Sequence, residues 1–447
     1  MVPGAGETRA IVAPMAASST HPDYDATAAS WSRARDVLAG EDSVKAAGEK
    51  YLPRLDSQSD EEYTAYKARA SFFGATARTL AEYLDLVFRR APVVSIAERK
   101  RLEQFAADCD RWGIDFPRYA RHAVSEVLSV GRGGSLVLAD DSRPFVTWFR
   151  AEDIINWRVQ HGNGGATLGE VTLRDANRVR VLKLVDSVCV QEFWNQDGES
   201  WVLAESVTLT RGDSPLCFVP FIFHGPRSSR PTPDRLPLAD IIAANLDHYR
   251  LDADFKHGLH FAALPTAWVS GFDKTTPLRI GSSAAWVSDI PGASAGFLEF
   301  SGAGLAHIDR AMEKVERRMA LLGARMLEVN EPGDEASASQ RRDLSGLGNV
   351  IASLNQSLTR VLQLAHWWIE GGTLGECQGV AFTMNTDLSA RAISGESLTA
   401  VVAAWRAGAI SRESMLEVLK RGEVLPEGRT VAQERALIHR VPLNSHQ

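Results

Sequence analysis

Two long, regular helical patterns separated by a short acidic break constrain the fold of this chain most. The first pattern carries apolar residues at Leu305, Ile308, Met312, Val315, Met319, Leu322 and Met326. The second carries them at Leu344, Leu347, Ile351, Leu354, Leu358, Val361, Ala365 and Trp368. Spacings of three and four place each set on one narrow face, which is typical of long helices packed side by side. At ~1.5 Å per residue, the first pattern spans roughly 35 Å.

The break between the two patterns is acidic and contains residues that end helices. Residues 327–340 read "LEVNEPGDEASASQ", with Pro332 and Gly333 at the centre and no basic residue before Arg341. Proline and glycine both disfavour a continuous helix, so a turn is predicted here. An acidic turn between helices is most often simply solvated. Its function therefore depends on the elements around it.

The rest of the chain mixes helices with antiparallel strands, so the predicted fold class is α+β. A capping-box pattern at Ser59 and Glu62 predicts one helix that continues until Pro92, and a second helix is predicted over roughly 97–130. From about Ser135 to Phe223, short β-branched and aromatic segments alternate with turn residues, which predicts an antiparallel meander of six or seven strands. Residues 266–303 predict a small β-rich insert between long helices.

Composition limits the classes of function. The formal net charge of −7 argues against a protein that grips DNA through a basic face. The four cysteines contain no CxxC pair, which suits single thiols in a reducing compartment. Apolar runs are shorter than the ~18–20 residues of a membrane span. Residues 1–20 lack the apolar core of a signal peptide and are interpreted as a flexible arm.

Two stretches invite a catalytic interpretation. "GRGGS" at 131–135 follows a helix and precedes a strand, so a helix C-cap with a tight turn is favoured over a phosphate loop. A metal or hydrolase site would draw on the stretch 247–260, which carries Asp247, Asp252, Asp254, His248, His257 and His260. Its spacing matches no metal-binding motif, and its acids are interpreted as one solvated helix face. No catalytic, cofactor-binding or metal-ligating residue is predicted.

Four stretches carry a resemblance to a known family. They read "YLPRLDSQSDEEYTAYKARASFFGATART" (51–79), "EVLSVGRGGSLV" (126–137), "FRAEDIINWRV" (149–159) and "NLDHYRLDADFKHGLHFAALPTAWVSG" (245–271). In this order, and with the helix, insert, helix, loop and helix that follow, the chain resembles the portal proteins of tailed bacteriophages. More closely, it is similar to the portal-like family of uncharacterised-domain phage proteins, from about residue 20 to 425.

The resemblance implies an elongated subunit with a helical and β-sheet wing, a stem and a small β-rich clip. The implied parts are the arm (1–20), the wing (21–237), stem helix 1 (238–262), the clip (263–303), stem helix 2 (304–326), the tunnel loop (327–340), a long wing helix with a return strand (341–393) and a helical crown (394–447).

The resemblance also implies which residues lie at working surfaces. Those of the tunnel loop and channel are Glu328, Asn330, Glu331, Asp334, Glu335, Arg341 and Arg342. Those of the clip, which meets the motor and the adaptors, are Asp273, Lys274, Arg279, Trp286 and Asp289. Those of the stem are Asp252, Asp254, Lys256, Arg310, Lys314, Arg317 and Arg318, whose bases are expected to form ion pairs more than DNA contacts.

The implied function is a non-enzymatic ring, usually of twelve subunits, that conducts double-stranded DNA. It would lie at one capsid vertex of the virion and be assembled in the host cytoplasm. The implied partners are the terminase large subunit, a head-tail adaptor protein and the major capsid protein, without a membrane or a cofactor. Two alternatives stay open: a structural head or connector protein that conducts no DNA, and a hydrolase or nuclease built on the 247–260 stretch.

Overall fold

The protein is α+β, as predicted, with several antiparallel sheets and long helices. The computed structural model describes residues 19–140, 143–162, 165–175, 177–198, 200–263, 266–272, 286–298, 304–322, 336–372, 377–386, 395–421, 424–425 and 429–440.

The N-terminal part is mainly helical, and side chains close in sequence cap the start of some of its helices. Its elements are α1 (Pro22–Ala39), α2 (Glu41–Ala46), α3 (Asp60–Arg69), α4 (Ala75–Val87), β1 (Val93–Ser95), α5 (Lys100–Ala107) and α6 (Phe116–Val130). The predicted capping box is confirmed at α3, where the Ser59 amide donates to Glu62 Oε2 at 2.8 Å and the Glu62 amide donates to Ser59 Oγ at 3.2 Å. Each side chain thus satisfies a backbone N–H that the helix leaves free.

The prediction of one helix from Ser59 to Pro92 is wrong, because the chain is extended between α3 and α4. Side chains from a distant helix bind the backbone there: Asp252 Oδ2 accepts from the Ser71 amide at 2.6 Å. Asn245 donates to the Phe73 carbonyl at 2.6 Å and accepts from the Thr76 amide at 3.1 Å. These bonds replace the hydrogen bonds that a continuous helix would make.

The predicted helix over 97–130 is also interrupted, between α5 and α6. Asp108 Oδ1 accepts from the Gly113 amide at 2.9 Å, and Asp110 Oδ1 accepts from the Trp112 amide at 2.9 Å. Aspartate side chains bind nearby backbone N–H groups well in turns, which favours a loop over a helix here. Asp115 then caps α6 by accepting from the Arg118 amide at 2.8 Å.

Most strands of the middle part form two principal sheets. The strands of this part are β2 (Gly133–Ala139), β3 (Pro144–Arg150), β4 (Ile154–Gly162), β5 (Gly165–Asp175), β6 (Arg178–Val185), β7 (Val188–Asp197), β8 (Ser200–Thr208), β9 (Thr210–Arg211), β10 (Ser214–Pro215) and β11 (Phe221–His224). The predicted antiparallel meander of six or seven strands has five, β4 to β8, because β3 and β11 belong to the three-stranded sheet. The three-stranded sheet has the order β11-β2-β3, and β9 pairs only with β10 among the described strands.

The second half contains the long helices. Its elements are α7 (Ala239–Ala263), β12 (Thr266–Ser270), β13 (Ser294–Leu298), α8 (Leu305–Leu322), α9 (Ala336–Glu370), β14 (Ala381–Thr383), α10 (Gly395–Arg406), α11 (Arg412–Arg421) and α12 (Val431–Arg440). β12 and β13 form an antiparallel hairpin with Trp268 opposite Gly296. Residues 286–290, also within the predicted β-rich insert, are not in a strand.

The long helix α9 forms the centre of the largest core. Leu354, Leu358 and Val361 are completely buried in a cluster that also contains residues of α6 and of the three-stranded sheet. The Trp368 indole N–H donates to the Val137 carbonyl at 3.0 Å, which fixes the end of α9 to β2. Within the described part of the chain, none of the helices has the length and apolar character needed to cross a membrane.

Candidate functional site

Helices α7 and α8 lie side by side in opposite directions. His248 Nε2 is 3.1 Å from Glu316 Oε1, and a Cβ on Gly258 would lie 2.6 Å from Leu305 Cδ2. The later residue of α7 thus lies beside the earlier residue of α8, so the two helices are antiparallel. Gly258 permits this close approach because it has no side chain. The result is a paired rod with the β12–β13 hairpin at one end.

Three of the predicted stem residues fasten this rod to the N-terminal helices. Asp252 accepts from the Ser71 amide and forms an ion pair with Lys256 at 3.1 Å. Asp254 accepts a hydrogen bond from the Tyr66 hydroxyl at 2.5 Å. Burial is the largest cause and this bond the second that raises the pKa of Tyr66, so the hydroxyl remains a donor. The interpretation of the α7 acids as one solvated face is thus wrong for Asp252, which is 7% exposed.

The same contacts weaken the hydrolase hypothesis. The Asp252 and Asp254 carboxylates are bound by protein groups, and the imidazole of His257 packs edge-on against the Tyr66 ring. Burial and the nearby Arg69 lower the pKa of His257. No group of three or more potential ligands for a metal ion occurs among the described residues. The stretch 247–260 has a structural function in joining the two halves of the chain.

The remaining predicted stem residues lie on the outer face of α8. Arg310, Lys314, Arg317 and Arg318 are all exposed. Arg317 forms an ion pair with Glu313 one turn earlier, at 2.8 Å, as predicted for this face. Exposed pairs of this kind contribute little stability, so this face is available for other contacts.

The described part of the hairpin exposes large apolar side chains. Trp268, Val287 and Phe297 are 45%, 71% and 54% exposed. Trp286 lies beside Phe297 with the ring centroids 6.1 Å apart, and Asp289 is exposed. The other predicted clip residues, Asp273, Lys274 and Arg279, lie outside the described residues. Clustered exposed apolar groups are typical of a surface that binds another protein.

Most of the predicted tunnel loop lies outside the described residues, including Glu328, Asn330, Glu331, Asp334 and Glu335. The backbone is helical from Ala336, so the last five residues of the predicted loop, 336–340, belong to α9. Arg341 and Arg342 are also in α9.

The "GRGGS" stretch has the predicted structural function. Gly131 ends α6 with φ 74°, a left-handed conformation that favours glycine. A Cβ on Gly133 would overlap the Trp148 ring, and a Cβ on Gly134 would overlap the Phe221 ring. Arg132 is only 2% exposed and stacks on Trp157, 3.9 Å from the ring centroid. The glycines therefore allow close packing, and the guanidinium points into the interior.

A partly buried charge cluster joins three distant parts of the N-terminal half. Arg35 donates two hydrogen bonds of 2.7 Å to the Glu126 carboxylate, and two of 2.8 and 3.1 Å to Glu152. Burial opposes the Arg35 charge, but the bonds to both carboxylates prevail and raise its pKa. No sequence motif marked these residues.

A second buried network crosses the sheet to α9. The Tyr119 hydroxyl, Ser135 Oγ and His224 Nε2 are linked at 2.6 Å each, and His224 Nδ1 is 2.8 Å from Ser357 Oγ. Ser357 itself donates to the Leu354 carbonyl at 3.2 Å, so it accepts from Nδ1–H, and Nε2 accepts from Ser135. Burial lowers the pKa of His224 to about 3. Because His224 and Ser135 are 0% exposed, this network is structural.

Comparison with known proteins gives one match to a family and several to solved structures. Residues 237–369, from α7 to near the end of α9, match a family described as a domain of unknown function (DUF4055). No curated protein sequence matches the chain.

Three of the similar solved structures belong to gene transfer agent particles. One is a chain in the neck of an empty particle computed with C6 symmetry, with 16% identity, 78% of this chain and 90% of that chain covered, and a TM-score of 0.42. A second, from the virion of the native particle, has 15% identity, 86% and 99% coverage and a TM-score of 0.42. A third, from the native neck computed with C12 symmetry, has 13% identity, 84% and 98% coverage and a TM-score of 0.41.

Proposed function

We propose that the chain is a subunit of a portal ring, a non-enzymatic channel at one capsid vertex through which double-stranded DNA is packaged and ejected. The observation that supports this most is the paired rod of α7 and α8. The rod carries a hairpin with exposed aromatic residues at one end. At the other end the chain continues into the 35-residue helix α9, which packs into the wing core.

A closed ring explains the position of the acidic loop. A head-to-tail ring places the same residue of every subunit at one height on the axis. The link between α8 and α9 would then repeat around the channel, and its acids Glu328, Glu331, Asp334 and Glu335 would form belts of negative charge. Tight, salt-dependent binding of DNA comes from lysine and arginine. Acidic belts repel phosphate, so the DNA would slide without being held.

Each part of the proposed portal subunit would contact a different partner. The hairpin and the residues between β12 and β13 would be the clip that meets the terminase large subunit and, later, a head-tail adaptor. The wing would face the major capsid protein, and the rod of α7 and α8 would be the stem. The subunits would form a ring of usually twelve copies, placed in the virion after assembly in the host cytoplasm.

Charge reversal in the loop tests whether the ring conducts DNA. Replacing Glu331 and Asp334 together with lysine is expected to leave ring assembly unchanged and to lower the yield of DNA-filled particles by roughly tenfold or more, because each subunit adds two cations that bind phosphate. The measurement is the DNA content of particles made when the variant complements a phage that lacks its own copy.

Two controls make the result specific. Glu417→Lys changes the same charge on an exposed position of α11 and should package normally. Glu331→Gln with Asp334→Asn removes charge without adding it and should have an intermediate yield. Normal packaging by the double-lysine variant would contradict the tunnel-loop assignment and favour a structural connector that conducts no DNA.

A further inference from the structure

Strands β8 and β1 each leave one edge open within the described part of the chain, and the segments that contain them have opposite charge. Strand β8 lies at the end of the five-stranded sheet, and β1 pairs only with β14 among the described strands. An open edge presents unpaired backbone N–H and C=O groups, which can pair with a strand of another chain.

Strand β8 is long, exposed and unprotected. It pairs with β7 on one side, for example Leu203 with Trp194, and its other side makes no hydrogen bond to any described element. Val202, Leu203 and Val207 are 51%, 43% and 40% exposed. The strand contains neither proline nor lysine, the residues that commonly protect an edge from pairing.

The opposite edge of the same sheet is covered at its start. On β4, the Ile155 carbonyl accepts from the His21 amide at 2.9 Å, and the Asn156 side chain donates to the Ser19 carbonyl at 2.9 Å. Residues 19–21 therefore cover the start of this edge strand. A further strand can therefore pair with the five-stranded sheet at the open edge of β8.

Strand β1 also has an open edge, on the side away from β14. The far side of its partner β14 is covered. On β14, the Phe382 amide donates to Thr359 Oγ1 at 2.9 Å. The Met384 amide, directly after the strand, donates to Asn355 Oδ1 at 2.8 Å. Both acceptors belong to α9, so the helix occupies the far side of β14. On β1, Val93 is 59% exposed, and its outer edge binds no described element.

The charges around the two strands are complementary. Residues 195–208, which include β8, contain three acids and no lysine or arginine. Residues 89–101, which include β1, contain five basic residues and one acid. Two β8 edges would repel each other, as would two β1 edges. A β8 edge and a β1 edge attract.

We propose that β8 of one copy pairs with β1 of the neighbouring copy, so that the two sheets join across the subunit boundary. This pairing rests on the ring proposed above. It uses two different surfaces of the same chain, which is the condition for a head-to-tail ring. Val93 would pack against the exposed apolar residues of β8, and Glu205 would lie near Lys100 and Arg101 of the neighbour, which are both exposed.

A charge swap tests the proposed placement of Glu205 beside Arg101 of the neighbouring copy. Glu205→Lys alone and Arg101→Glu alone are each expected to raise the concentration for half-maximal ring assembly by roughly threefold to tenfold, because like charges meet at every boundary. The two changes combined should restore assembly. The measurement is the ring fraction by native mass spectrometry across a dilution series, with Glu417→Lys as the control.

Disulfide cross-linking tests the contact itself in the full-length chain. Val93→Cys is combined in turn with cysteine at Val202, Leu203 or Val207, in a background in which the exposed Cys217 is replaced with serine. Oxidation should give a ladder of covalent multimers on a denaturing gel for at least one pair, and the single cysteine variants should give none.

The outcomes separate the two proposals. Intact rings with neither a ladder nor rescue by the charge swap would overturn the β8–β1 pairing and leave the ring in place. A cross-link that forms within one chain would also overturn the pairing. If the unmodified chain forms no ring at any concentration, the ring itself is wrong, and the pairing fails with it.

Discussion

Replacing Arg35 with methionine is expected to destabilise the protein by about 2 to 4 kcal/mol, somewhat below the usual cost of removing one partner from a fully buried charge cluster, because Arg35 and Glu152 are partly exposed. The change would leave the Glu126 and Glu152 carboxylates near each other, both at most 28% exposed in their side chains, with no cation between them. The measurement is the free energy of unfolding in urea at neutral pH.

Two further variants show whether the cost comes from uncompensated charge. Arg118→Met removes an arginine that is 76% exposed, and it should change stability by less than about 0.5 kcal/mol. Adding Glu126→Leu and Glu152→Leu to Arg35→Met should recover much of the loss, since no charge is then left unpaired. A loss below about 1 kcal/mol for Arg35→Met would show that water reaches the cluster.

Stability is expected to fall as the pH drops from 6.5 because of His224. Its folded pKa is about 3, below the usual 6.5 of the unfolded chain. The unfolded state therefore binds more protons between these values, and the stability from neutral His224 is complete above pH 6.5 and declines toward pH 3. The slope is about 1.4 kcal/mol per pH unit, or about 2 kcal/mol from pH 6.5 to 5.

The physical cause of this pH dependence is the direction of the hydrogen bonds around the His224 imidazole. A protonated His224 would donate from both nitrogens, and Ser135 would lose the acceptor for its own proton. His224→Gln cannot take up a proton in this range. We expect it to be less stable than the natural chain at pH 7, with a smaller loss on going to pH 5. Equal losses in the two proteins would show that His224 does not cause the pH dependence.

Local signals were read correctly from the sequence, because their partners are close in the chain. The capping box at Ser59 involves residues three positions apart, and it is present. The left-handed Gly131 that ends α6 follows from its position between a helix and a strand. The meander β4 to β8 follows from alternating residues separated by turns.

The break between α5 and α6 depends on aspartates close in sequence, which the helical spacing concealed. The other errors arose where the deciding partner is distant. The gap between α3 and α4 depends on Asp252, which is 181 positions away from Ser71. Periodicity alone continues the helix, because the apolar spacing is unbroken. The two buried networks were missed for the same reason, since Arg35 lies 91 positions before Glu126. The predicted tunnel-loop acids lie outside the described residues, so their place at the axis stays a prediction.

The most direct test of the account is an electron-microscopy image of the purified, full-length protein with its native mass. We expect a closed ring with an axial hole wide enough for a DNA duplex, and the segment between α8 and α9 facing that hole. A chain that remains a monomer at high concentration, or a ring in which this segment faces outward, would contradict it.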